Sequence, residues 1–238
     1  MLAGYLFRDA KDAFTEEKSG AGRLRTLGRA ASLINDSPVT AGKVAEAEAL
    51  LRRLVAAGEA DETALYAGYL LARIAHVHRA AEIAEVEAAY RAVIAGAPDH
   101  PLAQLAAAKL ALVLLYQRPD LPVARRIAAA AELEPVAGAP RLPEAAAAYY
   151  RVLAGAALFY GAPDARTLGW LLRADDIGPA DIVIATSLRI QIAETARALG
   201  RRDVALAYYR KFLDTAVPTD NRQRTAQERM AEFAKESP

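Results

Sequence analysis

SLRIQIAETARALGRRDVALAYYRKFLDTAVP, residues 187 to 218, holds two runs of helical periodicity joined at a glycine. In the first, Ile190, Ile192, Ala193, Ala196 and Leu199 recur at the spacing of one helix face, and the run stops at Gly200. After Arg201 and Arg202 a second face begins with Val204 and Ala205 and continues through Tyr208, Tyr209, Phe212 and Leu213. The stretch therefore reads as two short amphipathic helices folded back on one another, a single repeat unit.

The same reading extends outward in both directions. Alternation of the strand type is nowhere sustained, and Ala, Leu, Glu and Arg, all good helix formers, fill every segment between breakers. Prolines fall between the apolar-periodic segments or in helix first turns. An all-α chain of about twelve helices follows. Leu2 to about Lys18 predicts a first amphipathic helix, closed by the turn at Gly20 and Gly22. Helix pairs are predicted over 23–58, 61–97, 101–133, 143–177 and 182–217, with a capping helix over 220–235 started by Asp220 and Gln223. Asp61 is read as the cap of the second pair. Glu132 to Pro143, with Pro135, Gly138 and Pro140, is read as a long loop inside one array.

In the quoted unit Ala205 and Tyr209 stand in an A-x3-F relation, Phe212 continues that face, and Val217 and Pro218 close it. Val86, Tyr90 and Pro98 repeat the pattern between Ala67 and His100. In both places the chain resembles the tetratricopeptide repeat, a helix–turn–helix of about 34 residues with a W-x2-L-G-x2-Y, A-x3-F and closing Pro pattern. The first half departs from the family: Arg189, Ile192, Ala193 and Ala196 replace its Trp, Leu, Gly and Tyr. Further pairs are looser, and in the fourth Gly169 takes the aromatic place beside Trp170. The resemblance implies a single domain over 1–238, a right-handed α-solenoid of antiparallel helix pairs whose first helices line a concave groove.

The chemistry available narrows the function. The 238 residues are 54% hydrophobic and 25% charged, enough for a core, and a formal net charge of +1 lacks the basic excess of a nucleic-acid binder. No apolar run approaches the roughly 18 residues of a membrane span. Cysteine is absent and there are three histidines. His76 and His78 point about 200° apart on a helix and so do not share one ion, while His100 falls in the turn PDHP. Asp175 and Asp176, with Asp164 and Asp181 nearby, lack the ligand spacing of a calcium loop and read as solvated carboxylates. Gly20 and Gly22 follow no strand and form no phosphate loop. No catalytic residue, metal or cofactor is expected. Of the doublets Tyr149–Tyr150 and Tyr208–Tyr209, one ring of each is expected in the core and the other towards a groove or solvent, since adjacent helical positions diverge by about 100°.

Carried over unit by unit, the family's groove positions fall on His78 and Arg79 in the second pair, on Lys109, Tyr116 and Gln117 in the third, on Tyr150 in the fourth, and on Glu194 and Arg197 in the fifth. The implied function is a non-catalytic scaffold that binds a peptide or helix of a partner protein, with no nucleic-acid partner and no membrane insertion. Arg79, Lys109 and Arg197 favour acidic side chains, Tyr116 and Tyr150 supply flat contact area, and Glu194 selects a basic residue at one end. The family's Lys and Asn clamp for a terminal carboxylate is not present. The rival reading is a self-assembling structural subunit, a homo-oligomer, in keeping with a looser resemblance of PDHPLA to repeat junctions of bacterial envelope lipoproteins. A full-length chain implies the cytoplasm, and one trimmed of a signal segment implies the envelope.

Overall fold

The computed structural model describes residues 22–58, 60–79, 82–161, 163–179 and 181–235. The expected first helix, Leu2 to about Lys18, lies outside the described residues. Among those described, all regular structure is helical, twelve α-helices and one π-helical turn, packed as neighbours in sequence. The chain divides into two compact units between Val113 and Leu114.

The first unit holds α1 (Gly22–Leu33), α2 (Ala41–Ala56), α3 (Glu62–Arg73), α4 (Ile83–Gly96) and most of α5 (Pro101–Tyr116). Local chemistry sets the boundaries. Thr40 accepts the Lys43 amide at the start of α2, and Asp61 accepts the Ala64 amide at the start of α3. Gly58, at φ +76°, takes the left-handed turn after α2 that a Cβ would oppose. The Lys43 ammonium gathers the connection between α1 and α2, donating to the Asp36 and Pro38 carbonyls and to the Asp36 carboxylate at 2.8–2.9 Å. Inside, Leu33, Val44, Leu51, Leu54 and Ile74 close a core around Ala30, Ala47 and Ala67. The three alanines are fully buried and let the helices approach closely.

The second unit holds the end of α5, α6 (Val123–Ala131), α7 (Glu134–Ala137), α8 (Pro143–Phe159), α9 (Ala165–Ile177), α10 (Ile182–Ala198), α11 (Arg202–Leu213) and α12 (Arg222–Lys235). The stretch of residues 187 to 218 forms the expected pair. Ile192, Ala193, Ala196, Ala205, Tyr209 and Phe212 are buried, and Gly200 turns the chain at φ +70°. The first helix starts five residues earlier than Ser187, because Asp181 accepts the Val183 and Ile184 amides. Asp164 caps α9 in a reciprocal box with Thr167. Asp220 accepts the Arg222 amide at 3.0 Å, while Gln223 donates to the Ala216 and Val217 carbonyls and does not complete the expected box.

One expectation is corrected here. The segment expected as plain loop, Glu132 to Pro143, contains α7, begun by Pro135 in its first turn. In α9 the small Gly169 leaves room that neighbouring Trp170 is expected to fill, and Trp170 is the buried residue of the two. Trp170 is buried beside Leu168 and Leu171, with the Arg166 guanidinium 5.2 Å from its ring centroid, whereas Gly169 is exposed. A Cβ added at Gly169 meets nothing within 4 Å. Gly169→Ala therefore removes backbone freedom from the unfolded chain without a steric cost, and a stabilisation of about 0.5–1 kcal/mol is expected. Thermal melting checks it: an unchanged or lowered Tm would show that the helix surface there is in contact.

Candidate functional site

In the first unit the helical register changes just before the predicted groove residues. After Arg73 the chain makes a π turn, Ile74–His78, closed by the Arg79 amide on the Ile74 carbonyl at 3.0 Å. His78, the last residue of this turn, and Arg79, just after it, line a recess of about 300 Å³ with Val39, Thr40, Val44 and Glu48. Arg79 is not free to meet a ligand's acid. Its Nη1 donates to Glu48 Oε1 at 2.6 Å, and the same oxygen takes Arg52 at 2.6 Å. Lys109 is half-buried on α5, and its charge is felt by His76.

His76 sits edge-on to Tyr90, ring centroids 5.8 Å apart, and its Nδ1 lies 3.1 Å from the Tyr90 hydroxyl. Burial, then the charges of Lys109 and Arg73, hold its pKa below the ordinary 6.5. The ring is therefore neutral at pH 7, and Nδ1 shares a hydrogen bond with the Tyr90 hydroxyl. Because the unfolded chain binds a proton that the folded chain refuses, this contribution to stability is present above pH 6.5 and is lost as pH falls through the depressed value. Melting temperature is expected to drop as pH falls below 6.5. The check is an NMR titration of His76, in which a midpoint at or above 6.5 would contradict the arrangement.

A second recess, of about 600 Å³, opens beside the start of α3 and is lined by Asp61, Glu62, Leu65, Gly96 and His100. Asp61 is held in a fork by Arg23, which keeps its carboxyl below the usual carboxylate range. His100, read from sequence as a turn residue, is the cap of α5. Its Nδ1 accepts the Leu102 amide at 3.1 Å, which leaves the proton on Nε2, 3.6 Å from Glu62. Among the described residues no three His, Cys, Asp or Glu side chains are grouped to hold a metal ion.

In the second unit the predicted residues part company. Tyr150 is 5% exposed, and both rings of the Tyr149–Tyr150 doublet are buried, against the expectation that one would face a groove or solvent. The reason is α7. Tyr149 donates to the Ala130 carbonyl at 2.8 Å and Tyr150 to Glu134 at 3.2 Å, so the segment read as loop covers the second ring. Gly138 lies against the Tyr150 hydroxyl, where a Cβ would collide. The other doublet divides as expected, with Tyr209 buried and Tyr208 half-buried.

Glu194 and Arg197, expected to meet separate parts of a ligand, meet each other at 3.0 Å, and the second Glu194 oxygen accepts the Tyr209 hydroxyl at 2.5 Å. The acidic cluster read as solvated is dispersed: Asp164 and Asp181 are caps, Asp176 pairs with Arg173, and the Asp175 side chain is 9% exposed. Asp175 accepts Tyr208 at 2.9 Å and lies 3.5–3.6 Å from Lys211 and Arg189, which ties α9, α10 and α11 together. Burial, then this hydrogen bond, pushes the Tyr208 hydroxyl pKa up.

Tyr116 and Gln117, at the end of α5, are exposed. Tyr116 belongs to an aromatic group that the sequence reading missed. Phe159 is 78% exposed and stands edge-on to Tyr160 at 5.0 Å. The Arg126 guanidinium lies 4.7 Å from the Tyr160 ring centroid and donates to the Tyr160 hydroxyl at 3.2 Å and to the Leu115 carbonyl at 2.9 Å. Tyr116 is close enough for its ionisation to be opposed by burial and by Tyr160. Periodicity points the other way: it puts Phe159 on the apolar face with Tyr149, Val152, Leu153 and Ala156, and the structure corrects this, because the helix ends at Phe159 and nothing among the described residues covers the ring. In comparison with known proteins, the chain matches no family model, no curated protein and no solved structure.

Proposed function

We propose that the chain is a non-catalytic protein-interaction scaffold of the tetratricopeptide type, which binds a peptide segment of a partner. The observation that carries this is the burial of the aromatics at the repeat's inter-helix positions. Tyr90, Tyr209 and Phe212 are each 0% exposed, so two separate stretches with the same pattern pack in the same way. Helix α1 also touches α3, the first helix of the following pair, as stacked repeats require. In this reading the pairs form a right-handed array, and His78, Arg79, Lys109, Tyr116, Gln117, Glu194 and Arg197 border its binding face. Arg79, Glu194 and Arg197 reach a ligand only by exchanging their present partners, which lowers their expected worth. Tyr150 leaves the set.

The test is selection of a displayed library of random linear peptides on the purified chain. Enrichment of related sequences that bind as free peptides supports the scaffold. The rival reading, a self-assembling subunit, draws on Ile182 and Val183, which are 61% and 69% exposed at the start of α10. No enrichment, together with a defined oligomer in light scattering, would replace the scaffold by that reading.

A further inference from the structure

We infer that the end of α5 and α8 in the second unit is a docking site for an acidic, apolar peptide segment of a partner protein, with Phe159 and Arg126 as its two anchors. This rests on the scaffold reading and names the surface and the ligand class.

Three features of the site point to such a ligand. First, Phe159 is 78% exposed although α8 has buried positions throughout its length. It is the last residue of the helix, and Gly161 at φ +73° turns the chain away just beyond it, so the described fold brings no side chain over the ring. A phenyl group left this open forgoes most of its burial, which a bound apolar side chain recovers. Second, the ring is held in place. Tyr160 packs edge-on against it, and Arg126 clamps Tyr160 from its face and its hydroxyl while also capping the Leu115 carbonyl in the last turn of α5. Tyr116, 46% exposed, extends the flat surface. Little side-chain freedom is then lost on binding.

Third, the charge is unbalanced in one direction. Among the described residues the partners of Arg126 are a carbonyl, a hydroxyl and an aromatic ring, all neutral. The nearest carboxylate that senses it, Asp120, is engaged in a fork by Arg118. Residues 118 to 126 contain three arginines against one aspartate, and Arg125 is exposed with no ion pair among the described residues. A carboxylate on the ligand completes Arg126, and Arg125 adds longer-range attraction. Exposed aromatics with arginine also stack single-stranded nucleic acid, but that surface needs a basic track along a backbone, and here the positive charge is confined to one short segment.

The experiment takes the peptides enriched on the parent chain and measures their affinity for Phe159→Ser, Arg125→Gln and Arg126→Gln, each checked by thermal melting. Phe159→Ser removes an exposed ring and leaves the core untouched. The expected result is enrichment of sequences that combine Asp or Glu with Leu, Ile or Phe, and a loss of affinity of about tenfold or more with Phe159→Ser. Arg126→Gln should lose a similar factor, Arg125→Gln less, and both losses should shrink at high salt. Should Arg126→Gln fail to fold, Phe159→Ser and Arg125→Gln carry the test. Enriched peptides that are basic or uncharged, or that bind Phe159→Ser as tightly as the parent, overturn the site while leaving the scaffold reading in place. A library that yields nothing overturns both. Oligothymidylate that binds and is lost with Phe159→Ser, or a dimer in light scattering that the same variant dissolves, assigns the patch to nucleic acid or to a second copy and overturns the proposal.

Discussion

Phe212→Ala is expected to lower the unfolding free energy by about 3–5 kcal/mol, the usual cost of truncating a buried aromatic. Phe212 is 0% exposed on the inward face of α11, beside Ala205 and Tyr209, and the Arg222 guanidinium of α12 lies 5.5 Å from its ring centroid. The substitution therefore opens a cavity between the helices of this pair and also removes the floor on which α12 rests. Since a domain of this size has about 5–15 kcal/mol in hand, the variant should sit near the edge of folding at room temperature. Urea denaturation of parent and variant measures it. A loss below about 1 kcal/mol would mean that Phe212 is not in the core, and the repeat register with it would be wrong.

Asp175→Ala should cost about 2–3 kcal/mol, more than any surface carboxylate would. The magnitude comes mostly from one bond. Tyr208 donates to Asp175 at 2.9 Å, whereas Arg189 and Lys211 stand at 3.6 and 3.5 Å, and Lys211 is 52% exposed, so its pairing is weakened by water. Removing the carboxylate leaves the Tyr208 hydroxyl without its acceptor, takes the ion-pair partner from the buried Arg189 Nε, which has no hydrogen bond to fall back on, and sets two cations near each other. Asp175→Asn, which keeps an acceptor, should lose about half as much. Adding Tyr208→Phe to Asp175→Ala should recover about 1 kcal/mol, and a double-mutant cycle gives the coupling directly. Additive effects of the two changes would show that the bond contributes nothing.

Glu194 and Arg197 illustrate how the sequence reading of the site went astray. The family's groove pattern treats each position by itself, but these two are three apart on one helix, where side chains meet, and that spacing alone pairs them. The Arg79 to Glu48 pair is different: it joins residues 31 apart in sequence, on helices whose separation no periodicity reports. Phe159 reads from periodicity as one more residue of the inner face, and its exposure depends on where α8 ends and on Arg126 and Tyr160 arriving beside it.

The sequence by itself determined the elements. Apolar positions at helical spacing, Gly58 and Gly200 past helix ends and Asp61 before one each act through bonds within a few residues, so they are readable without knowing what lies opposite. It also marked Tyr90, Tyr209 and Phe212 as inward, because the first face of a short amphipathic helix has one way to leave water. Only the tertiary structure decided what happens to the remaining faces. Whether Tyr150 meets solvent depends on α7 folding over it, and whether Asp175 is solvated depends on α10 and α11 bringing Arg189, Lys211 and Tyr208 to it. A second face is buried or left open by a segment distant in sequence, and helical periodicity carries no information about that segment.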